Sequence, residues 1–253
     1  MDEEMIKLQS FIDTYLSDRR TIKVLEAGCG SSSYFSMPEN SYVVGIDISE
    51  AELQKNTVVD EKLLGDIQTY PLPPSEFDVI ICWWVMEHLS DPQKALNNFL
   101  QSLKEDGIII LGIPNVFSIK GLITKFTPYW FHKWAHKTFT SFMSFEGYVP
   151  FRTYLKFSIS PKAISRYASR NGLSIAYSSL YEPQGLRNFR KKYKLINITW
   201  QLIRRTVKVL SFGKIDLGLS EFIVVLKKQK VPATTHQTPP GLHSQNGALT
   251  RTK

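Results

Sequence analysis

The chain is poor in cysteine, in long apolar runs and, over its second half, in acidic residues. Its only cysteines, in 253 residues, are Cys29 and Cys82. Two are too few for a disulfide framework, so both read as free thiols of a reducing compartment, on the cytosolic side of a cell. The densest apolar runs, VIICWWVM and GIIILGI, are too short to cross a bilayer. The opening MDEEMIKLQSF is acidic and lacks the basic start and apolar core of a cleavable leader. No internal repeat is visible. Together these absences exclude a disulfide scaffold, an integral membrane protein and a solenoid. A hydrophobic content of 43% indicates a globular chain. The length suits one large domain with insertions.

The net charge of +8 is unevenly spread. Residues 1–110 hold 8 Lys+Arg against 19 Asp+Glu, a net of −11; the remainder holds 23 against 4, a net of +19. Such asymmetry implies a basic half facing something anionic, whether nucleic acid, a phosphorylated substrate or a membrane surface. The plainer alternative is a solvated basic face.

Residues 3–18 carry apolar residues at helical spacing. TIKVLEAG, SYVVGIDIS, EKLLGDI, FDVIICWW and GIIILGIPN read as strands, and LSIAYSSLYE and LSEFIVVLKK as two more. DPQKALNNFLQSLKEDG is a helix with Asp91 as N-cap, Pro92 at its first position and Gly107 past its end. SPKAISRYASRNG is another, between Ser160 and Gly172. Strands alternating with helices imply βαβ units and a mostly parallel sheet. An aromatic-rich insertion covers about 115–152, and a basic one about 186–217. Residues 231–253, rich in Pro, Thr, Ser and Gln, read as a disordered tail to a single domain spanning 1–230.

In such a sheet a ligand crevice opens at the carboxyl ends of the strands. Gly28 and Gly30 let the backbone turn sharply and approach a ligand closely. Asp47 ends the second strand about twenty residues later, well placed for ribose hydroxyls. These features point to a nucleoside-containing cofactor. Glu26 narrows the choice: a carboxylate there would repel a pyrophosphate but welcome a cationic tail.

On LEAGCGSS, VVGIDIS, GDI, FDVIICWWVMEHLSDP and LKEDGIIILGIPN, the chain resembles the class I S-adenosylmethionine-dependent methyltransferases, in their small-molecule branch. Ser32 stands where many members have a third glycine. The resemblance covers roughly 20–115 well and the last strand loosely. It implies a Rossmann-like α/β fold: a seven-stranded, mostly parallel sheet with helices on both faces and the last strand antiparallel. It also implies S-adenosyl-L-methionine as cofactor, held by Glu26, Gly28, Gly30, Asp47, Ile48, Asp66, Ile67 and Trp83. Trp83 and Trp84 fall on alternate faces of the strand end, so one should pack inward and one should edge the pocket. Bland readings stand beside these: a turn cap for Glu26, an N-cap for Asp47, a turn residue for Asp66, and small packing residues for the cysteines.

Methyl transfer from a sulfonium needs mainly alignment, with a base where the acceptor is a hydroxyl. His88, just beyond the fourth strand, is the candidate base; its alternative is a loop histidine bonded to backbone. Some relatives bind a metal through a Glu-His pair and a further carboxylate. Here that further position is Trp84, so no metal is expected. His132 and His136 have the spacing of a two-histidine metal face, without a third ligand. The aromatic insertion suggests a lid over the acceptor, with Trp84, Tyr129, Trp130 and His132 as candidate substrate contacts. In the basic insertion, Ile196, Trp200, Ile203, Val207 and Leu210 form a helical stripe among Arg and Lys. That is a lid, or a helix meeting a membrane or a lipid-linked acceptor. The expected acceptor is a small molecule, glycan or lipid intermediate methylated on oxygen. Methylation of nitrogen, carbon, protein or RNA is the alternative, and a catalytically silent cofactor-binding subunit is the alternative of another class. No nucleic-acid-binding module accompanies the basic residues.

Overall fold

The computed structural model describes residues 2–126, 153–192, 194–213 and 215–230. Seven strands form one sheet: β1 (Ile22–Ala27), β2 (Ser41–Asp47), β3 (Glu61–Leu64), β4 (Phe77–Trp83), β5 (Leu103–Pro114), β6 (Leu173–Tyr181) and β7 (Glu221–Lys228). Their order is β3-β2-β1-β4-β5-β7-β6. The pairs from β3 through to β5 are parallel, and β7 runs antiparallel to both β5 and β6. This is the architecture the motifs imply, antiparallel last strand included.

Central strands are buried on both faces, which is why they read as unbroken apolar runs. Every residue of β4 is buried. On one face Leu25, Ile46, Ile80, Ile109 and Val224 pack with α3 (Pro92–Ser102) and α5 (Pro161–Arg170). On the other, Val24, Val43, Ile81, Ile110 and Val225 pack with α1 (Glu3–Leu16) and α2 (Glu50–Lys55). Leu8, Ile12 and Leu16, one helical stripe of α1, are almost wholly buried there.

Two boundaries differ from the sequence expectation. Helix α3 ends at Ser102 and the chain enters β5 at once, at Leu103. The left-handed residue is Asp106, with φ 60°, not Gly107. The reason lies across the sheet: Leu103 already pairs with Phe77 of β4, and the register slips before Val79 meets Ile108. Gly172 does close α5 as expected, with φ 66°.

At the amino edge of the sheet Asp78 is buried and binds Arg19 at 3.0 Å and Lys104 at 2.7 Å, tying α1 to β4 and β5. A shallow groove lined by Tyr15, Arg19, Asp106 and Lys230 opens beside this brace. Its groups bond one another, Arg19 donating to the Asp106 carbonyl at 2.7 Å, so it is scaffolding rather than a site.

The switch point lies between β1 and β4, whose onward connections leave in opposite directions along the sheet. A crevice at their carboxyl ends follows from the topology. The long connections converge on the same edge. Helix α4 (Ile119–Phe126) follows β5, while α6 (Gln184–Lys192) and α7 (Lys194–Leu210) join β6 to β7.

Candidate cofactor site

Glu26 ends β1 among apolar neighbours and is buried. Its carboxylate accepts a 2.5 Å hydrogen bond from the Ser33 hydroxyl. Among the described residues no cation pairs with it. Burial raises its pKa, and the Ser33 hydroxyl only partly opposes that. A buried carboxylate with one neutral partner suits a ligand that brings a positive charge.

The chain then turns at Gly28, with φ 77°, where the backbone N–H donates to the Ile46 carbonyl at 2.7 Å. A Cβ at Gly28 would lie 2.4 Å from Val85 Cγ2, so β1 and the loop after β4 meet at this residue. Gly30, with φ 50°, has no such neighbour, and its N–H donates to Asp47 Oδ2 at 2.8 Å. The other oxygen of Asp47 accepts the Ser49 N–H at 2.8 Å. Asp47 is therefore not the cap of α2; Ser49 is, through its hydroxyl and the Glu52 N–H. Asp47 instead couples the glycine loop to β2 and keeps acceptor capacity for hydroxyls.

A second brace was not legible in the sequence. Asn56 is fully buried and donates to the Gly30 carbonyl at 3.2 Å, while its own oxygen accepts Val58 and Val59 N–H groups. Nothing in an Asn after a short helix announces that role.

Ile48 follows Asp47 and is exposed, an apolar surface at the crevice. Asp66 begins a turn after β3: its carboxylate accepts the backbone and side-chain N–H groups of Gln68. Gln68 in turn accepts the Asp91 N–H at 2.7 Å, linking this turn to the loop beyond His88. The Ile67 side chain lies in the core and its carbonyl accepts Asn98 Nδ2 at 3.0 Å. Its remaining backbone group is what a ligand could use.

Trp83, the last residue of β4, packs inward, and Trp84, just past the strand, points out. Trp83 is buried edge-on against Phe35, with centroids 4.9 Å apart, and lies over Gly112, where a Cβ would fall 2.4 Å from its ring. Its indole N–H has no hydrogen-bond partner among the described residues. Trp84 points outward, 42% exposed, from a backbone φ of 54°. Positive φ in a bulky residue is an outlier of the kind that clusters at ligand sites. Tyr34, from the glycine loop, meets it edge-on at 5.5 Å. Sequence reading missed Tyr34, which only the loop's path brings to Trp84.

Beyond β4 the chain makes a 3-10 turn, Met86–His88. The His88 ring nitrogen Nδ1 lies 3.4 Å from the Thr153 hydroxyl, and Nε2 lies 3.9 Å from the carboxylate of buried Glu87. The Glu87 carbonyl accepts the N–H groups of Tyr154 and Leu155. Lys125 at the end of α4 donates to the Leu155 carbonyl at 3.1 Å and stands over the Phe157 ring. The aromatic insertion therefore leaves and rejoins the domain beside His88. Tyr129, Trp130 and His132, its candidate substrate contacts, lie outside the described residues, as does the tail 231–253.

Both cysteines are buried. Burial, then the charges of Asp47 and Glu26, push the Cys29 thiol up to about 12, and burial with Glu87 raises that of Cys82. Neither is a nucleophile near neutral pH. No described helix is long and apolar enough to cross a membrane.

Residues 25–111 match the family described as methyltransferase domain. An uncharacterized protein of Methanocaldococcus jannaschii is 26% identical over 118 residues, 47% of this chain and 52% of its own. A ubiquinone biosynthesis O-methyltransferase of Coxiella burnetii is 28% identical over 113 residues, 40% of this chain and 48% of its own. The chain thus spans about half the length of the curated relatives it matches. A solved structure described as a putative S-adenosylmethionine dependent methyltransferase from Listeria monocytogenes superposes with a TM-score of 0.51 at 15% identity. It covers 90% of this chain and 99% of its own, and shows the fold. A buried acid, a braced glycine loop and Asp47 thus stand within the stretch, residues 25–111, that matches the methyltransferase-domain family, on a fold shared with a structure described as a putative S-adenosylmethionine dependent methyltransferase.

Proposed function

We propose that the protein transfers a methyl group from S-adenosylmethionine to an oxygen of a small molecule, glycan or lipid intermediate. The observation that carries the donor half is Glu26, a buried carboxylate whose one hydrogen bond among the described residues comes from Ser33. S-adenosylmethionine, when bound, would supply the methyl group and a neutral thioether as leaving group. Glu26 would hold the ammonium of its amino-acid tail. Gly28 and Gly30 let the backbone lie against it, and Asp47 accepts its ribose hydroxyls. Ile48, Asp66 and the Ile67 backbone frame its base. Trp83 forms the inner wall, and Trp84 with Tyr34 edges the acceptor side.

The acceptor half rests on His88. With Nδ1–H donating to Thr153, Nε2 carries the lone pair and takes the acceptor's hydroxyl proton. The Glu87 carboxylate lies 3.9 Å from Nε2. A base such as His88 contributes about 10²–10⁴-fold in rate. Oxygen as acceptor draws support from the Coxiella burnetii relative, a ubiquinone biosynthesis O-methyltransferase.

His88→Ala should lower single-turnover methyl transfer by that factor, about 10²–10⁴, and leave S-adenosylhomocysteine affinity within twofold. Unchanged turnover would remove His88 from the chemistry. Peripheral contact with a membrane through 186–212 belongs to the same reading.

A further inference from the structure

The stripe expected to define the basic insertion is split by the structure: Trp200 and Val207 turn inward, while Ile203 and Leu210 are exposed. Trp200 and Val207 are half-buried; the Arg190 guanidinium stands 5.3 Å over the Trp200 ring and pairs with buried Glu182. Arg204 pairs with Asp216, and Gly218 packs on its side chain. This inner side clamps α7 to the carboxyl edge of the sheet. On the outer side another row runs the length of the helix: Lys194, Ile198, Leu202, Arg205, Val209 and then Phe212. Its spacings of three and four keep it on one line.

That row is open. Ile198 is 66% exposed, Leu202 67%, Val209 75% and Phe212 90%. Lys194 and Arg205 are exposed and in no ion pair among the described residues. Residues 184–213 contain eight Lys+Arg and no Asp or Glu. Phe212 sits at φ 53°, a conformation that costs an aromatic residue energy and here turns the ring off the helix end into solvent.

We propose that this outer face of α7 docks on an anionic lipid bilayer. Apolar side chains alternating with long cationic ones suit the headgroup boundary, where Lys and Arg stems lie along the apolar layer and their charges reach phosphate. A second copy fits poorly, because a contact between two such rows would bury the cations of both copies with no acid on the row to pair them. Helices α6 and α7 connect the carboxyl end of β6 to β7, so docking brings the cofactor edge of the sheet to the membrane. The acceptor would then be drawn from the bilayer, a consequence that rests on the methyl-transfer reading.

The full chain should co-sediment with phosphatidylcholine vesicles containing phosphatidylglycerol. It should bind at least about tenfold more weakly without the anionic lipid or at high salt. Leu202→Asp with Val209→Asp should abolish binding, and Arg205→Glu should weaken it. All are solvent-facing changes, so S-adenosylhomocysteine affinity should hold and certify the fold. No sedimentation of wild type at low salt would overturn the proposal. So would a dimer in light scattering that Leu202→Asp dissolves. Vesicle binding without S-adenosylhomocysteine binding would sink the enzymatic reading and leave the docking intact.

Discussion

Gly28→Ala should abolish cofactor binding and unfold a large fraction of the protein's stability. Two costs coincide. An alanine at φ 77° pays about 1–2 kcal/mol for the left-handed backbone. Its Cβ would also stand 2.4 Å from Val85 Cγ2, with a second methyl at 2.9 Å. Overpacking of that sort costs about 1–3 kcal/mol. Together they approach a third of a typical domain's stability of roughly 5–15 kcal/mol. Relief would come by moving Val85, and His88 donates its backbone N–H to the Val85 carbonyl. Gly30→Ala is the control: it meets no atom within 4 Å, so only the backbone cost applies. Thermal denaturation should show Gly28→Ala about twice as damaging as Gly30→Ala. Equal losses would mean that the contact with Val85 does not matter.

The second large effect is one of opposed signs. Glu26→Gln should make the empty protein more stable while weakening S-adenosylhomocysteine binding. The amide can keep the Ser33 hydrogen bond without a buried charge. Removing one partner of a desolvated charge pair costs about 2–5 kcal/mol in binding, or roughly 30- to 5,000-fold in affinity. The pH dependence follows from the raised pKa of Glu26. Protonation is favoured in the folded state, so this group's contribution to stability is present at low pH and is lost as pH rises through its folded pKa. Binding of a cationic tail needs the ionised form, so affinity runs the other way and falls as pH drops through that pKa, above the ordinary carboxylate range. Calorimetry of wild type and variant across that window should show a slope in the first and little in the second. A pH-independent wild type would detach Glu26 from the ammonium.

Much of this site was readable in one dimension because it depends on backbone rules. A strand end, a glycine that tolerates φ 77°, and an acid at the end of the next strand are all local signatures. Trp84 points outward from the turn beyond β4, at φ 54°, and not by strand alternation. The end of α3 was not legible, because Leu103 pairs with Phe77 across the sheet and overrides a helical pattern that ran on to Gly107. Asn56, Tyr34 and Gln68 were invisible for the same reason: their partners are distant in the chain.

The chain's own order of residues determined the mostly parallel sheet and the glycine loop beside a buried acid, since each follows from local periodicity or backbone freedom. Only the folded arrangement decided which side of α7 faces water. Apolar residues lie all round that helix, and the choice was made by Glu182 and Asp216, acids outside it, which draw Arg190 and Arg204 inward and leave Leu202 and Val209 exposed.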